Sequence, residues 1–92
     1  MSTLNYTKDF NLKRSLPLGK QIYDKLRDKI IYTELFPLTE IFESDLANKL
    51  NVSRTPIRDA LKKLENDGLV ETIPQVKSVV SKINVKTIRE AN

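Results

Sequence analysis

Two arginines four residues apart, Arg54 and Arg58, are the side chains in this sequence best suited to bind an anion. An arginine guanidinium can hold the O6 and N7 atoms of guanine, or a phosphate, through two parallel hydrogen bonds. Residues four apart share one face of a helix, so the two groups would act together. No acidic residue lies four positions from either arginine, and Asp59 projects about 100° round the helix from Arg58. We therefore predict that both arginines are available to a nucleic acid or another anionic ligand.

The residues that most enzymes use for nucleophilic and acid–base chemistry are missing. The sequence contains no histidine and no cysteine, which excludes Ser–His and Cys–His pairs and zinc sites built on imidazole or thiolate. Glu40, Glu43 and Asp45 form the nearest approach to a carboxylate cluster. We interpret them as a solvated loop followed by the acidic first turn of a helix, where carboxylates favour the helix dipole. We predict that the chain is not an enzyme and binds no cofactor.

The arginines need a helix to hold them, and the apolar spacing predicts one over about residues 54–67. Its buried stripe comprises Ile57, Ala60, Leu61 and Leu64. Ser53 is placed as the N-cap, and Gly68 as the left-handed residue beyond the C-terminus. Arg54 and Arg58 point away from the stripe.

The flanking segments predict the rest of the fold. Apolar spacing indicates helices over about 17–33 and 43–50, with Ser44 as a candidate cap of the second, while β-branched runs indicate a short strand at 38–41 and a hairpin over 69–83. Two short helices joined by a tight turn and followed by a hairpin form a winged helix-turn-helix. The predicted fold class is mainly α with a small β-hairpin: a three-helix core plus a two-stranded wing. This fold places the first turns of the third helix in the major groove of DNA.

Length and charge agree with a small domain. Ninety-two residues suffice for a single core, and sixteen lysines and arginines against twelve acids give a net charge of +4. A charge of this size is only a weak indication of a polyanionic partner. No segment is apolar for long enough to span a membrane, so no membrane association and a cytoplasmic location are expected.

The run SRTPIRDALKKLENDGLVE, residues 53–71, resembles the N-terminal DNA-binding domain of GntR-family bacterial transcription regulators. The resemblance extends back through DLANKLNV, residues 45–52, and QIYDKLRDKIIYTEL, residues 21–35, and covers roughly residues 18–83. The proline within the SRTP segment resembles the FadR-type branch, which implies an all-helical C-terminal effector domain.

The resemblance implies roles for individual residues. In the family, the positions matched by Arg54, Thr55 and Arg58 contact operator DNA, and the position of Ser53 commonly reaches a phosphate. Family wings carry a glycine-containing tip that enters the minor groove, whereas this chain reads IPQVKSVV. We predict phosphate contacts for Gln75 and Lys77 on the wing instead. The DNA-binding prediction also includes Lys62, which continues the outward face of the third helix.

The sequence divides into a flexible N-terminal arm at 1–15, the winged helix-turn-helix at 16–83, and the start of a linker or helix at 84–92. The resemblance implies a longer, ligand-responsive regulator that binds pseudo-palindromic double-stranded DNA as a homodimer. Alone, this chain is predicted to be monomeric or weakly dimeric, since it shows no strong self-association surface. The operator, the regulated genes, the effector, and repression or activation are not encoded in any pattern found. The alternative interpretation is a winged-helix module that binds another protein.

Overall fold

The computed structural model describes residues 5–82, and within them three helices pack against a small sheet. After a 3-10 turn at Asn5–Thr7, the elements in chain order are α1 (Leu18–Ile31), β1 (Glu40–Ile41), α2 (Glu43–Leu50), α3 (Arg54–Asn66), β2 (Val70–Ile73) and β3 (Lys77–Val80). The predicted winged helix-turn-helix is confirmed, and the helix ends differ from those predicted by at most two residues. The expected helix beyond residue 84 lies outside the described residues.

The hairpin is confirmed, and it belongs to a sheet of three strands. β3 lies in the middle and pairs antiparallel with β1 on one side and β2 on the other. The backbone N–H of Leu38 donates to Val80 O, and that of Val80 to Thr39 O, so the loop before β1 continues the pairing. A two-stranded hairpin alone is marginally stable in water, and the third strand supplies a second set of backbone partners. The predicted two-stranded wing is thus present as β2 and β3, and the short strand predicted at 38–41 joins it as β1 to complete a three-stranded sheet.

One core lies where the helices meet the sheet. Its fully buried side chains include Ile22 and Leu26 of α1, Leu46 of α2, and Ile57 and Leu64 of α3. These are the stripe positions that the periodicity predicts, because burial of an amphipathic face is what holds short helices in place.

The turns on either side of α3 use left-handed residues. Asn51 ends α2 with φ 58°, a conformation that asparagine tolerates better than most residues. Gly68 follows α3 with φ 80°, as the sequence predicts for a residue without a Cβ atom. Asn51 and Val52 thus turn the chain sharply enough to set α2 and α3 as a helix-turn-helix.

The N-terminal arm, expected to be flexible and at most partly packed, contributes a side chain to the core within its described part. Phe10 is only 1% exposed. Arg14 donates from Nη1 to Asn51 O (2.9 Å) and from Nη2 to Leu50 O (3.0 Å) at the end of α2. Asp9 and Glu34 both pair with Lys29 of α1, and this pairing raises the pKa of Lys29. The arm thus shares contacts with α1 and with the turn before α3.

Candidate nucleic-acid interface

A groove of about 640 Å³ separates the outer face of α3 from the β2–β3 hairpin. Five of the seven residues predicted to bind DNA line it: Arg54, Arg58, Lys62, Gln75 and Lys77. Glu43 and Glu65 also line the groove, so four basic side chains face two carboxylates. The fold therefore gathers basic groups from a helix and a hairpin that are separated in sequence.

Arg54 and Lys62 are the two basic residues of this groove without an ion-pair partner among residues 5–82. Both side chains are exposed, and they lie eight residues apart along α3. Arg54 is the first residue of the helix, where backbone N–H groups and the positive end of the dipole also favour an anion. This end of α3 can therefore accept a negatively charged ligand without first breaking an ion pair of Arg54.

Arg58 has no acidic partner on its own helix, as expected, but it is paired with an acid of α2 and is less available than predicted. Its Nη2 lies 3.2 Å from Glu43 Oε1 and its Nε lies 3.4 Å from Glu43 Oε2. The hydrogen bonds to this carboxylate raise the pKa of Arg58 above its ordinary value. Glu43 belongs to the first turn of α2, so the tight turn between α2 and α3 brings the two side chains together. Glu43 does not use the Nη1 donors of Arg58, so these can bind another acceptor.

Lys77 on the wing is paired as well. Its Nζ donates to Glu40 of β1. The two residues are 37 positions apart in sequence, but Glu40 pairs with Val79 across the β1–β3 ladder and thus lies diagonal to Lys77 on the same face. The third strand is what supplies this carboxylate.

The wing tip forms a turn without glycine. Val76 N donates to Ile73 O across Pro74 and Gln75, and Gln75 has φ 63°. A type II turn requires a positive φ at its third position, and proline is common at its second. Gln75 therefore occupies the place where glycine is usual, and its side chain is exposed at the mouth of the groove.

Two predicted contacts lie outside the groove lining. Ser53 has the extended backbone of an N-cap, but its side chain makes no capping hydrogen bond, so the expected cap is corrected in that respect. Thr55 is exposed in the first turn of α3. Ser44 does not cap α2, because that helix begins one residue earlier, after Phe42.

Sequence reasoning missed two features of this surface. Phe42, Ile73 and Val76 form a partly exposed apolar wall of the groove. Their positions between polar residues in short elements gave no periodic signal. The carboxylates of Glu40 and Glu43 were identified, but not their partners, because spacing along one helix cannot show a contact between elements.

The sharp α2–α3 turn, the outward arginine at the start of α3 and the adjoining hairpin define a winged helix-turn-helix domain. Residues 18–80 match the family described as bacterial regulatory proteins, gntR family. The chain belongs to this family.

Individual relatives agree with the assignment. The chain is 35% identical over 86 residues to the HTH-type transcriptional repressor RspR of Escherichia coli strain K12, covering 94% of this chain and 38% of that protein. A GntR-family transcriptional regulator from Pseudomonas syringae pv. tomato superposes with a TM-score of 0.71 at 29% identity, covering 86% of this chain and 33% of its own. Escherichia coli McbR/YncC superposes with a TM-score of 0.71 at 25% identity, and the match covers 84% of this chain and 36% of that protein.

The chain spans about a third of the length of these relatives. None of the helices within residues 5–82 combines the length and the apolarity that crossing a bilayer requires.

Proposed function

We propose that this chain is the sequence-specific DNA-binding domain of a bacterial transcription regulator, with α3 in the major groove. The observation that supports this most is the position of Arg54 and Arg58 on the first two turns of α3, exposed and facing one basic groove. A major groove about 12 Å wide admits one helix, and the N-terminal turns of that helix meet the base edges.

The contacts divide into two kinds. Arg54 and Arg58 are proposed to bind bases, chiefly guanine, where their forked donors match O6 and N7. Ser53, Thr55, Lys62, Gln75 and Lys77 are proposed to bind phosphates, which position the domain without reading sequence. Family membership and the relative named as a transcriptional repressor support DNA binding as the function of the groove.

The regulator as a whole is proposed to be non-enzymatic, cytoplasmic and responsive to a ligand bound outside this chain, with no cofactor in the domain itself. The proline of the SRTP segment supports placement in the FadR-type branch, in which an all-helical effector domain follows.

Dimerisation is proposed to come from outside the DNA-binding domain. Two recognition helices must lie about 34 Å apart to read a palindrome in successive major grooves. We expect sedimentation equilibrium to show the 92-residue chain as a monomer or a weak dimer. A tight dimer of this chain would contradict that arrangement.

The function is tested by selection from a random-sequence DNA pool, followed by titration of the selected and a scrambled duplex at several salt concentrations. We expect enrichment of a half-site, a preference for the selected duplex, and an affinity that falls steeply with salt because bound counterions are released. Absence of enrichment, together with salt-independent binding, would contradict the proposal. The apolar wall of Phe42, Ile73 and Val76 would then favour the protein-binding alternative.

A further inference from the structure

We infer that Glu40 and Glu43 compete with DNA phosphates for Lys77 and Arg58, and that the Glu43 pair thereby makes the basic groove selective for its own sequence. The inference rests on the proposed DNA-binding function. It assigns to the two carboxylates a role in DNA binding that neither would have as a direct contact, since both carry the charge of the ligand.

The placement of the two acids is the first observation. Glu40 on β1 and Glu43 at the start of α2 are three residues apart, and each pairs with a basic residue that lines the groove. Glu43 reaches across to α3, and Glu40 reaches across to β3. One short stretch of chain therefore holds a cation of the recognition helix and a cation of the wing.

Solvent exposure shows that at least the first pair can be exchanged for another partner. The Arg58 side chain is 64% exposed, so a phosphate can approach it while the Glu43 pair is intact. Exposed ion pairs are weak because water and salt screen them. A DNA anion can displace the carboxylate, but the gain from the new pair is reduced by the loss of the old one.

The geometry of the Glu43 pair also orients the guanidinium. Glu43 takes one N–H of Nη2 and the Nε–H, at 3.2 and 3.4 Å, and so fixes the plane of the Arg58 fork. On DNA of unrelated sequence, Arg58 only exchanges the Glu43 carboxylate for a phosphate. On the correct sequence, the Glu43 pair stays intact and the N–H groups that it leaves free meet an acceptor on a base. The acid therefore penalises phosphate binding more than base recognition.

The test compares Glu43→Gln and Glu40→Gln with the wild-type chain on the selected and the scrambled duplex. Each change is expected to raise affinity for the scrambled duplex about two- to fivefold, in keeping with the strength of an exposed ion pair. Glu43→Gln should raise affinity for the selected duplex less, so the ratio of selected to scrambled affinity falls. Glu40→Gln should raise both affinities alike and leave their ratio unchanged, because Lys77 contacts only phosphate. The affinity for the scrambled duplex should also fall more steeply with salt, because each freed basic side chain that binds a phosphate releases a counterion from the DNA.

Asp24→Asn is the matched control. Asp24 pairs with Lys20 on α1 at 3.1 Å, outside the lining of the groove, so this variant loses the same charge and the same kind of contact. We expect it to leave the affinity ratio unchanged. Thermal unfolding of every variant checks that the fold is retained.

Double-mutant cycles show whether the acids act through their partners. In an Arg58→Ala background, Glu43→Gln should no longer change the ratio, and in a Lys77→Ala background Glu40→Gln should no longer raise either affinity. A ratio unchanged by Glu43→Gln, affinities unchanged by Glu40→Gln, or an effect that persists without the partner, overturns the inference while the proposed function stands. Failure of the wild-type chain to bind any DNA overturns both.

Discussion

At the scale of single residues, the basic groups of the groove fall into two classes that the sequence does not distinguish. Arg54 and Lys62 have no ion-pair partner among residues 5–82, whereas Arg58 and Lys77 are each held by a carboxylate. An unpaired basic side chain interacts with DNA through its full charge, whereas the charge of a paired one is partly neutralised by its carboxylate. The two classes should therefore contribute differently to the electrostatic part of binding.

Replacing a lysine from each class measures this difference. Lys62→Ala should lower the slope of log affinity against log salt by about one unit, the value for one lost phosphate contact. Lys77→Ala should lower it by less, because Glu40 already neutralises part of that charge. Fluorescence anisotropy across a salt series gives both slopes. An equal or larger effect of Lys77→Ala would show that the Glu40 pair does not persist in solution.

The residue scale also shows the limit of reading spacing along one chain. The outward direction of Arg54 and Arg58 follows from helix periodicity and was predictable. The Glu43–Arg58 contact spans 15 residues and depends on the angle between two helices, which the tight turn fixes but the sequence pattern does not describe. The Glu40–Lys77 contact depends on strand order in the same way.

At the scale of elements, the end of α3 depends on the backbone of Gly68. Its φ of 80° lies in the left-handed region, where a Cβ atom costs about 1–2 kcal/mol. Gly68→Ala should therefore lower the free energy of unfolding by about that amount.

Gly19 is the contrasting position for this test. It lies in α1 without a positive φ, and an added Cβ would meet Pro56 O at 3.6 Å, an ordinary contact. Gly19→Ala should stabilise the domain by up to about 1 kcal/mol, because alanine favours the helix. Urea unfolding of both variants measures the free energy of unfolding and shows whether Gly68→Ala lowers it and Gly19→Ala raises it. Equal effects would contradict the left-handed assignment.

The N-terminal arm is a second element with a clear energetic expectation. Phe10→Ala removes a side chain that is 1% exposed and should destabilise the domain by about 3–5 kcal/mol. Phe36→Ala makes the same chemical change at a position that is 65% exposed, and should alter stability by no more than about 0.5 kcal/mol. Denaturant midpoints compare the two. A small effect at Phe10 would mean that the arm is not packed in solution.

The elements differ in how far the sequence predicted them, and the reasons are physical. The three helices carry amphipathic stripes, and the hairpin carries β-branched runs, so the local sequence predicts the secondary structure of each. The packing of Phe10 could not be predicted because the arm has no periodic pattern. A short strand was predicted at 38–41 and is present as β1, but its pairing with β3 could not be predicted because it is a long-range contact.

At the scale of the whole molecule, the arm, the turn and the recognition helix form one connected body. Arg14 joins the arm to the carbonyl oxygens of Leu50 and Asn51, immediately before α3. Glu43 joins α2 to α3, and Glu40 joins β1 to the wing. The orientation of the groove residues is thus set by contacts distributed over most of the described chain.

The central claim, that the N-terminal turns of α3 recognise DNA sequence, is tested most directly by the affinities of Arg54→Ala and Arg58→Ala for selected and scrambled duplexes. Neither side chain belongs to the buried stripe, so circular dichroism should show both variants folded. Each should lose about 1–3 kcal/mol on the selected duplex and discriminate less at one or two base pairs. Unchanged affinity and discrimination in folded variants would contradict the account.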